Sequence, residues 1–147
     1  MAGWYILYRH PSRKSFLAER DALRVYGLDR VKDLEVTDRT FVMPKDFDVN
    51  ELFATSFGIY LPEGKGKTVR FRAGVAEAEY IRDLPLHASQ VEEKSDGEFV
   101  TFNIFVCPDR NLVMEFCKYG SRIEVLSPQE VRDAVAAEFA KASRLYE

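Results

Sequence analysis

The sequence predicts an α+β protein of 147 residues, on three observations. Strand and helix patterns alternate regularly through the C-terminal half, in the order β-α-β-β-α-β followed by one more helix. The N-terminal part carries two strand-like stretches rich in aromatic and aliphatic residues, a composition that suits a half-buried pleated surface. A short polar segment containing glycine lies between these parts. Together these features predict a ferredoxin-like βαββαβ domain preceded by a smaller region of strands and one helix.

Two strands are predicted near the N-terminus, over residues 4–9 and 23–31. Proline cannot continue a central ladder, so Pro11 marks a turn after the first strand. On the second strand, side chains two apart share one face. That face carries two arginines around an aromatic ring, an arrangement that suits a phosphate backbone with a base stacked between. An ordinary solvated edge strand is the alternative on pattern alone. The residues of this face are Arg24, Tyr26, Leu28 and Arg30.

The next element is a helix beginning at Asp48, whose side chain can cap it. Glu51, three residues later, completes a capping box, and Gly58 is placed to end the helix in a left-handed conformation. The polar segment 61–67 then reads as a linker. The sequence therefore predicts two domains, 1–60 and 61–147.

In the second domain, strands are predicted over 68–72, 89–94, 98–106 and 122–126, and a hairpin turn over 95–97. The 98–106 strand is apolar on both faces, since Phe99 and Phe105 alternate with its aliphatic residues, so both faces are expected to be covered.

Three helices complete the second domain. The first covers 75–84, and the second runs from Pro108-Asp109 to Gly120. The last is predicted to begin with a capping Ser127, proline at the first position and glutamate at the third, and to end near Tyr146. Its expected buried stripe consists of Val131, Val135, Phe139 and Ala142.

Charge is distributed unevenly, although the net charge is only −3. Residues 1–32 carry seven basic and three acidic side chains, a net charge of +4. The rest of the chain carries 14 basic and 21 acidic side chains, a net charge of −7. The N-terminal quarter can therefore attract a polyanion and the remainder cannot do so in general.

Composition and motifs argue against a membrane protein, a secreted protein and an enzyme. No apolar run approaches the roughly 18 residues that span a bilayer, and no signal peptide is recognisable, so a cytoplasmic protein with free Cys107 and Cys117 is expected. His10 and His87 lie far apart, and no paired cysteines or histidines have metal-ligand spacing. Ser89 beside His87 lacks a third catalytic partner. No enzyme activity, metal or cofactor is predicted, and Glu92-Glu93 is expected to be a solvated charge pair.

Several segments in order resemble one family. Trp4-Tyr5-Ile6-Leu7, the Arg24 to Val31 strand and the 47–59 segment resemble the C-terminal part of the WYL domain of bacterial transcription regulators. The C-terminal half resembles the WCX extension that follows it. The matching pieces there are Val69-Arg70-Phe71, Tyr80-Ile81-Arg82, Ser89-Gln90, Asp96-Gly97, Tyr119-Gly120 and Glu124-Val125-Leu126-Ser127-Pro128.

This resemblance implies a partial Sm-like or SH3-like small β-barrel, then a ferredoxin-like domain associated with dimerisation and signal relay. WYL domains sit behind a helix-turn-helix and sense an effector, which in characterised members is nucleic acid, notably single-stranded DNA. Gly27 departs from the family, which usually has a basic residue there. The predicted ligand-binding residues are Arg24, Arg30, Tyr26, Tyr5, Arg9 and Arg13.

The resemblance also implies that this chain begins within the barrel, without its first strands and without the helix-turn-helix domain. Incomplete barrels leave strand edges that pair with other molecules, so a homo-oligomer is expected. The favoured function is an effector-sensing and oligomerisation module of a transcriptional regulator that binds single-stranded nucleic acid or another phosphate-bearing ligand. A purely structural dimerisation module and a small-molecule-binding regulatory domain are the alternatives.

Overall fold

The computed structural model describes residues 5–8, 24–27, 32–33, 48–58 and 60–147. The chain forms two compact units, residues 1–49 and 50–147. The division comes earlier in the chain than the domain limit predicted after residue 60. Residues 50–66 thus belong to the second compact unit, while the domain limit itself stays a prediction.

In the first unit, β1 (Tyr5–Tyr8) and β2 (Arg24–Gly27) pair antiparallel. Both lie inside the strands predicted from the sequence. The helix predicted from Asp48 is shorter than expected: α1 covers Val49–Phe53 only. Gly58 does adopt a left-handed conformation, with φ of +84°, but in the turn after the helix.

The second unit contains a four-stranded antiparallel sheet with the order β4-β5-β3-β6. This confirms the mixed α+β class and the predicted alternation of elements. Three helices and a short 3₁₀ turn over 120–122 connect and follow the strands. The elements are β3 (Lys67–Gly74), α2 (Val75–Asp83), β4 (Val91–Ser95), β5 (Phe99–Val106), α3 (Arg110–Lys118), β6 (Ile123–Ser127) and α4 (Gln129–Ser143).

The core lies on one face of this sheet, because alternate residues of the strands point to the same side. Phe71 stacks on Phe102 with ring centroids 5.5 Å apart and meets Phe116 of α3 at 5.3 Å. Helices α2, α3 and α4 all contribute to this one cluster. Its members are Val69, Phe71, Ala73, Ala78, Ile81, Val100, Phe102, Ile104, Val106, Leu112, Phe116, Ile123, Val125, Val131 and Val135.

The second face of the sheet differs from expectation. The prediction that both faces of β5 are covered is wrong at Phe105, whose side chain is 47% exposed. Helices α2 to α4 pack on the core side. The other side carries mainly charged and polar residues, whose side chains do not require a covering layer.

Local signals fix several element ends. The hairpin turn before β5 forms as predicted, with Gly97 at φ +91° and the Asp96 carboxylate accepting from the Glu98 and Phe99 amides. Asp109 caps α3 by accepting a hydrogen bond from the Leu112 amide at 2.9 Å. The predicted cap of α4 is wrong, because Ser127 is paired with Arg70 as the last residue of β6.

The last helix also buries fewer side chains than its sequence pattern predicts. Pro128 occupies its N-cap position and makes no side-chain cap. Val131 and Val135 are buried as predicted, but Phe139 is 39% exposed and Ala142 is exposed. The helix therefore contributes its first half to the core and then leaves it. None of the described helices is long and apolar enough to span a membrane.

Candidate interaction surface

The sequence-predicted basic residues are only partly described by the structure. The register pairs Arg24 with Tyr8 and Tyr26 with Ile6, so these cross-strand pairs lie opposite one another. Tyr5 pairs with Gly27 instead. Arg30, Arg9 and Arg13 lie outside the described residues. Binding by these six residues stays a prediction.

The side of the C-terminal sheet that faces away from the helices carries several interacting polar and charged side chains. It is defined by alternate positions on neighbouring strands, and the register aligns them directly: Arg70 with Asn103, and Arg72 with Thr101 on β5 and Glu124 on β6. Glu93 on β4 lies on the same side, because it alternates with Val91, the register partner of Asn103, and a bulge between Glu92 and Lys94 places Lys94 opposite Thr101 as well. We call this surface the polar face; its residues are Arg70, Arg72, Val91, Glu93, Lys94, Phe99, Thr101, Asn103, Phe105 and Glu124.

Arg70 forms the first ion pair of the polar face, with Glu93 on the edge strand. The guanidinium donates from Nε to Oε1 and Oε2 at 3.1 and 3.0 Å, and from Nη2 to Oε2 at 2.6 Å. Asn103 donates to the same carboxylate at 3.2 Å. These hydrogen bonds raise the pKa of Arg70 and hold the pKa of Glu93 below its ordinary value. Both groups stay charged and bind each other.

Arg72 forms a second cluster at the opposite side of the face. It donates to Glu124 Oε2 from Nε at 2.7 Å, and Arg132 of α4 lies 3.1 Å from Glu124 Oε1. The Arg72 guanidinium also stacks over the Phe99 ring, 4.4 Å from its centroid. Stacking and ion pairing together fix the planar head group.

The pairing extends to the helix side of the sheet. Arg82 of α2 binds Glu92 and Glu79, and its hydrogen bonds lower the pKa of Glu92. Glu92 and Glu93 are exposed, as predicted, and each carboxylate also binds an arginine, one on either side of the sheet. Alternation along β4 sends these neighbouring glutamates to opposite sides, so their sides follow from the sequence, whereas their arginine partners on other elements do not.

This arrangement occupies both arginines of the polar face, and the unit as a whole has no surplus of positive charge for a polyanion. Residues 50–147 carry 12 lysines and arginines against 16 aspartates and glutamates, a net charge of −4. Half-exposed Phe105 and Val91 lie at the β4–β5 side of the polar face. A neutralised surface with apolar residues at one side suits contact with another protein better than contact with phosphates.

Cys107, Cys117 and the His87–Ser89 pair are the side chains that the sequence offers for nucleophilic chemistry. Cys107 and Cys117 are free thiols; burial, followed by the nearby Glu138, raises the pKa of Cys117 and keeps it protonated. In the described part of the chain, no three of the residue types that bind metals lie together. His87 and Ser89 do meet, with Nδ1 2.7 Å from Oγ. However, the Ser89 hydroxyl is occupied by the main chain of Phe105.

Comparison with known families gives one match. The family model of the WCX domain matches residues 68–143, which run from β3 through the last turn of α4. The match covers just over half of the 147 residues and includes every strand of the C-terminal sheet. No sequence among the curated proteins matches the chain.

Proposed function

Since this chain belongs to the WCX domain family, whose domains are found in WYL-containing regulators, we propose that it senses a phosphate-bearing effector and relays the signal within such a regulator. The membership makes a regulatory module the supported class. We further propose that the two units have different roles, one in effector binding and one in protein contact. The proposed folds are a small barrel for the first unit and a ferredoxin-like domain for the second. The strand order β4-β5-β3-β6 supports the latter.

The distribution of net charge along the chain carries this proposal. In the C-terminal unit the arginines of the polar face are bound by carboxylates, whereas residues 1–32 have a surplus of +4. A polyanion is attracted to a segment whose net charge is positive. We therefore assign effector binding to the N-terminal segment, through Arg24, Arg30 and the aromatic Tyr26, and protein contact to the polar face.

The effector proposal is tested with a fluorescently labelled single-stranded oligonucleotide. Anisotropy should rise on titration with the full chain at low salt. Arg24→Ala combined with Arg30→Ala should weaken binding at least about tenfold, because each removes a charge-assisted contact. The matched control is Arg110→Ala with Arg144→Ala, which removes two exposed arginines from the C-terminal unit. No binding at low salt, or equal loss in both double variants, contradicts the assignment.

A structural dimerisation module is the second candidate, and the exposure of Phe105 on the polar face favours it. In this case sedimentation equilibrium should show self-association of the wild-type chain. Phe105→Asp should shift it towards monomer, because a carboxylate would be buried in the interface. Leu84→Asp is the control, since Leu84 is 79% exposed on the opposite, helical side of the sheet. A wild-type monomer at all concentrations contradicts this function.

A further inference from the structure

Strand β4 forms an open edge of the C-terminal sheet. It stands first in the order β4-β5-β3-β6, and its outer side pairs with no strand among the described residues. All five of its residues, Val91–Ser95, are exposed. The outward main-chain N–H and C=O groups of such an edge are available to an added strand. The edge can therefore pair with an extended segment of another chain.

The opposite edge of the sheet is less open than β4. Arg132 of α4 donates to the Val125 carbonyl of β6 at 3.2 Å and lies 3.1 Å from Glu124 on the same strand. Ile123 and Val125 are buried. A side chain thus already occupies a main-chain acceptor of β6, so strand addition is favoured at β4.

The acidic surplus of the C-terminal unit is concentrated around β4. Residues 79–98, which run from the end of α2 to the hairpin turn after β4, carry six acidic and two basic side chains, a net charge of −4. The other residues of 50–147 carry ten of each. Arg70, which pairs with Glu93 from β3, reduces this surplus only to −3. A basic segment is therefore attracted to this edge, and a second copy of β4 is repelled.

The helix side of β4 holds part of this negative charge. Glu92 pairs with Arg82 of α2 at 2.8 Å, and Glu79 binds the same arginine at 2.6 Å. Asp83 follows at the end of α2, so two negative charges remain in excess on this side. The side chains of an added strand alternate between the two sides of the sheet, so basic residues suit its helix side.

The polar-face side of the edge is apolar where β4 begins. Val91 is 55% exposed and Phe105 is 47% exposed. The two are diagonal neighbours, because Val91 lies opposite Asn103 and Phe105 follows two residues later on β5. Glu93 on the same side is already paired with Arg70. Apolar residues of an added strand therefore suit this side, where they bury Val91 and Phe105.

We propose that the β4 edge binds a short extended segment of another protein, in which apolar and basic residues alternate. The main chain of this segment pairs with β4 as a fifth strand of the sheet. Its apolar side chains cover Val91 and Phe105. Its basic side chains face Glu79, Asp83 and Glu92.

The edge itself makes the site selective. The bulge in β4 and its charged side chains disfavour pairing with flat, uncharged strands, which limits the site to short partners of opposite charge. The proposal deepens the protein contact assigned to the polar face and rests on it, since the edge and that face share Val91 and Phe105.

Binding of a synthetic peptide to the full chain tests the proposal. The probe is a fluorescently labelled peptide of sequence Thr-Lys-Val-Lys-Val-Lys-Thr, and anisotropy should rise on its titration at low salt. The control peptide carries N-methyl groups on its valines and lysines, so it keeps the charge but loses main-chain donors. It should bind at least about tenfold more weakly, because strand pairing requires those donors.

Two double variants test the charge contact. Glu79→Gln with Asp83→Asn removes the acidic excess on the helix side and should weaken binding about fivefold, since two exposed charge contacts are lost. Asp133→Asn with Glu147→Gln removes the same charge from exposed residues of α4 and the segment after it, and should leave binding unchanged.

Amide hydrogen exchange locates the bound peptide. Protection should rise in residues 91–95 on addition of the probe and stay unchanged in residues 123–127. Absence of binding, equal binding of the methylated peptide, or equal affinity of the two double variants overturns the proposal. Protection that rises in β6 instead, or in β4 through self-association without peptide, overturns it as well. No oligonucleotide is used, so loss of peptide binding leaves the effector assignment standing.

Discussion

Arg70 shows how the partner of a single residue determines the charge that the C-terminal unit presents to solvent. From the sequence, it is one of two alternating arginines on a strand, as in the N-terminal pair Arg24 and Arg30. In the sheet, Arg70 meets Glu93 of β4, which reaches it across the intervening β5. The strand positions of both residues were predictable from alternation. Their contact was not, because it joins two strands that are not neighbours in the sheet and are far apart in the sequence.

The titration of Glu93 provides a test at this scale. Arg70→Gln should raise the pKa of Glu93 towards its ordinary value of 4.5, since the hydrogen bond from Arg70 is the main cause of its lowering. A carboxylate with a lowered pKa stabilises the fold at higher pH, and this contribution is lost as the pH falls through its folded pKa. The wild type should therefore lose more stability than the variant on acidification below about pH 4.5.

Side-chain carboxyl NMR titrations measure this directly. Glu92 is the internal control, because its partner is Arg82 and its pKa should stay unchanged in Arg70→Gln. If the pKa of Glu93 did not move, the ion pair of the polar face would not exist in solution.

At the scale of helices and strands, the predicted ends agree with the structure where a residue close in sequence determines the end of the element. Helix α3 begins and ends close to prediction because Asp109 caps it and Gly120, with φ of +59°, follows it. Helix α4 shows the limit of local reasoning. A serine before a proline has the pattern of a cap, but pairing of Ser127 with β3 keeps it in the sheet. Tertiary pairing overrides the local preference there.

The cap of α3 can be tested by substitution. Asp109→Ala should lower the free energy of unfolding by about 1 kcal/mol, because the Leu112 amide loses its acceptor at the helix N-terminus. Asp109→Asn should retain most of the stability, since its amide oxygen can accept the same bond. Urea unfolding of the two variants gives the comparison. Equal destabilisation by both would show that the carboxylate acts through charge rather than as a cap.

At the scale of the whole molecule, the chain combines a positive N-terminal segment with an acidic C-terminal unit. The fold class and the order of elements of the second unit followed from periodicity, and its four-stranded antiparallel sheet agrees with them. The pairing of its polar-face arginines with carboxylates could not be predicted from periodicity, because ion pairs such as Arg72 with Glu124 join residues far apart in the sequence. Composition already indicates that this unit does not attract anions in general, and the ion pairs show that the arginines of its polar face are engaged as well.

The salt dependence of single-stranded DNA binding tests the central claim most directly. If the effector contacts phosphates through Arg24 and Arg30, the logarithm of the affinity should fall linearly with the logarithm of salt concentration. The double variant Arg24→Ala with Arg30→Ala should then have a slope shallower by about 1.4, since each phosphate contact on a single strand contributes about 0.7. Arg110→Ala with Arg144→Ala should keep the wild-type slope. The opposite result, a slope changed by the C-terminal pair and not by the N-terminal pair, would contradict the account.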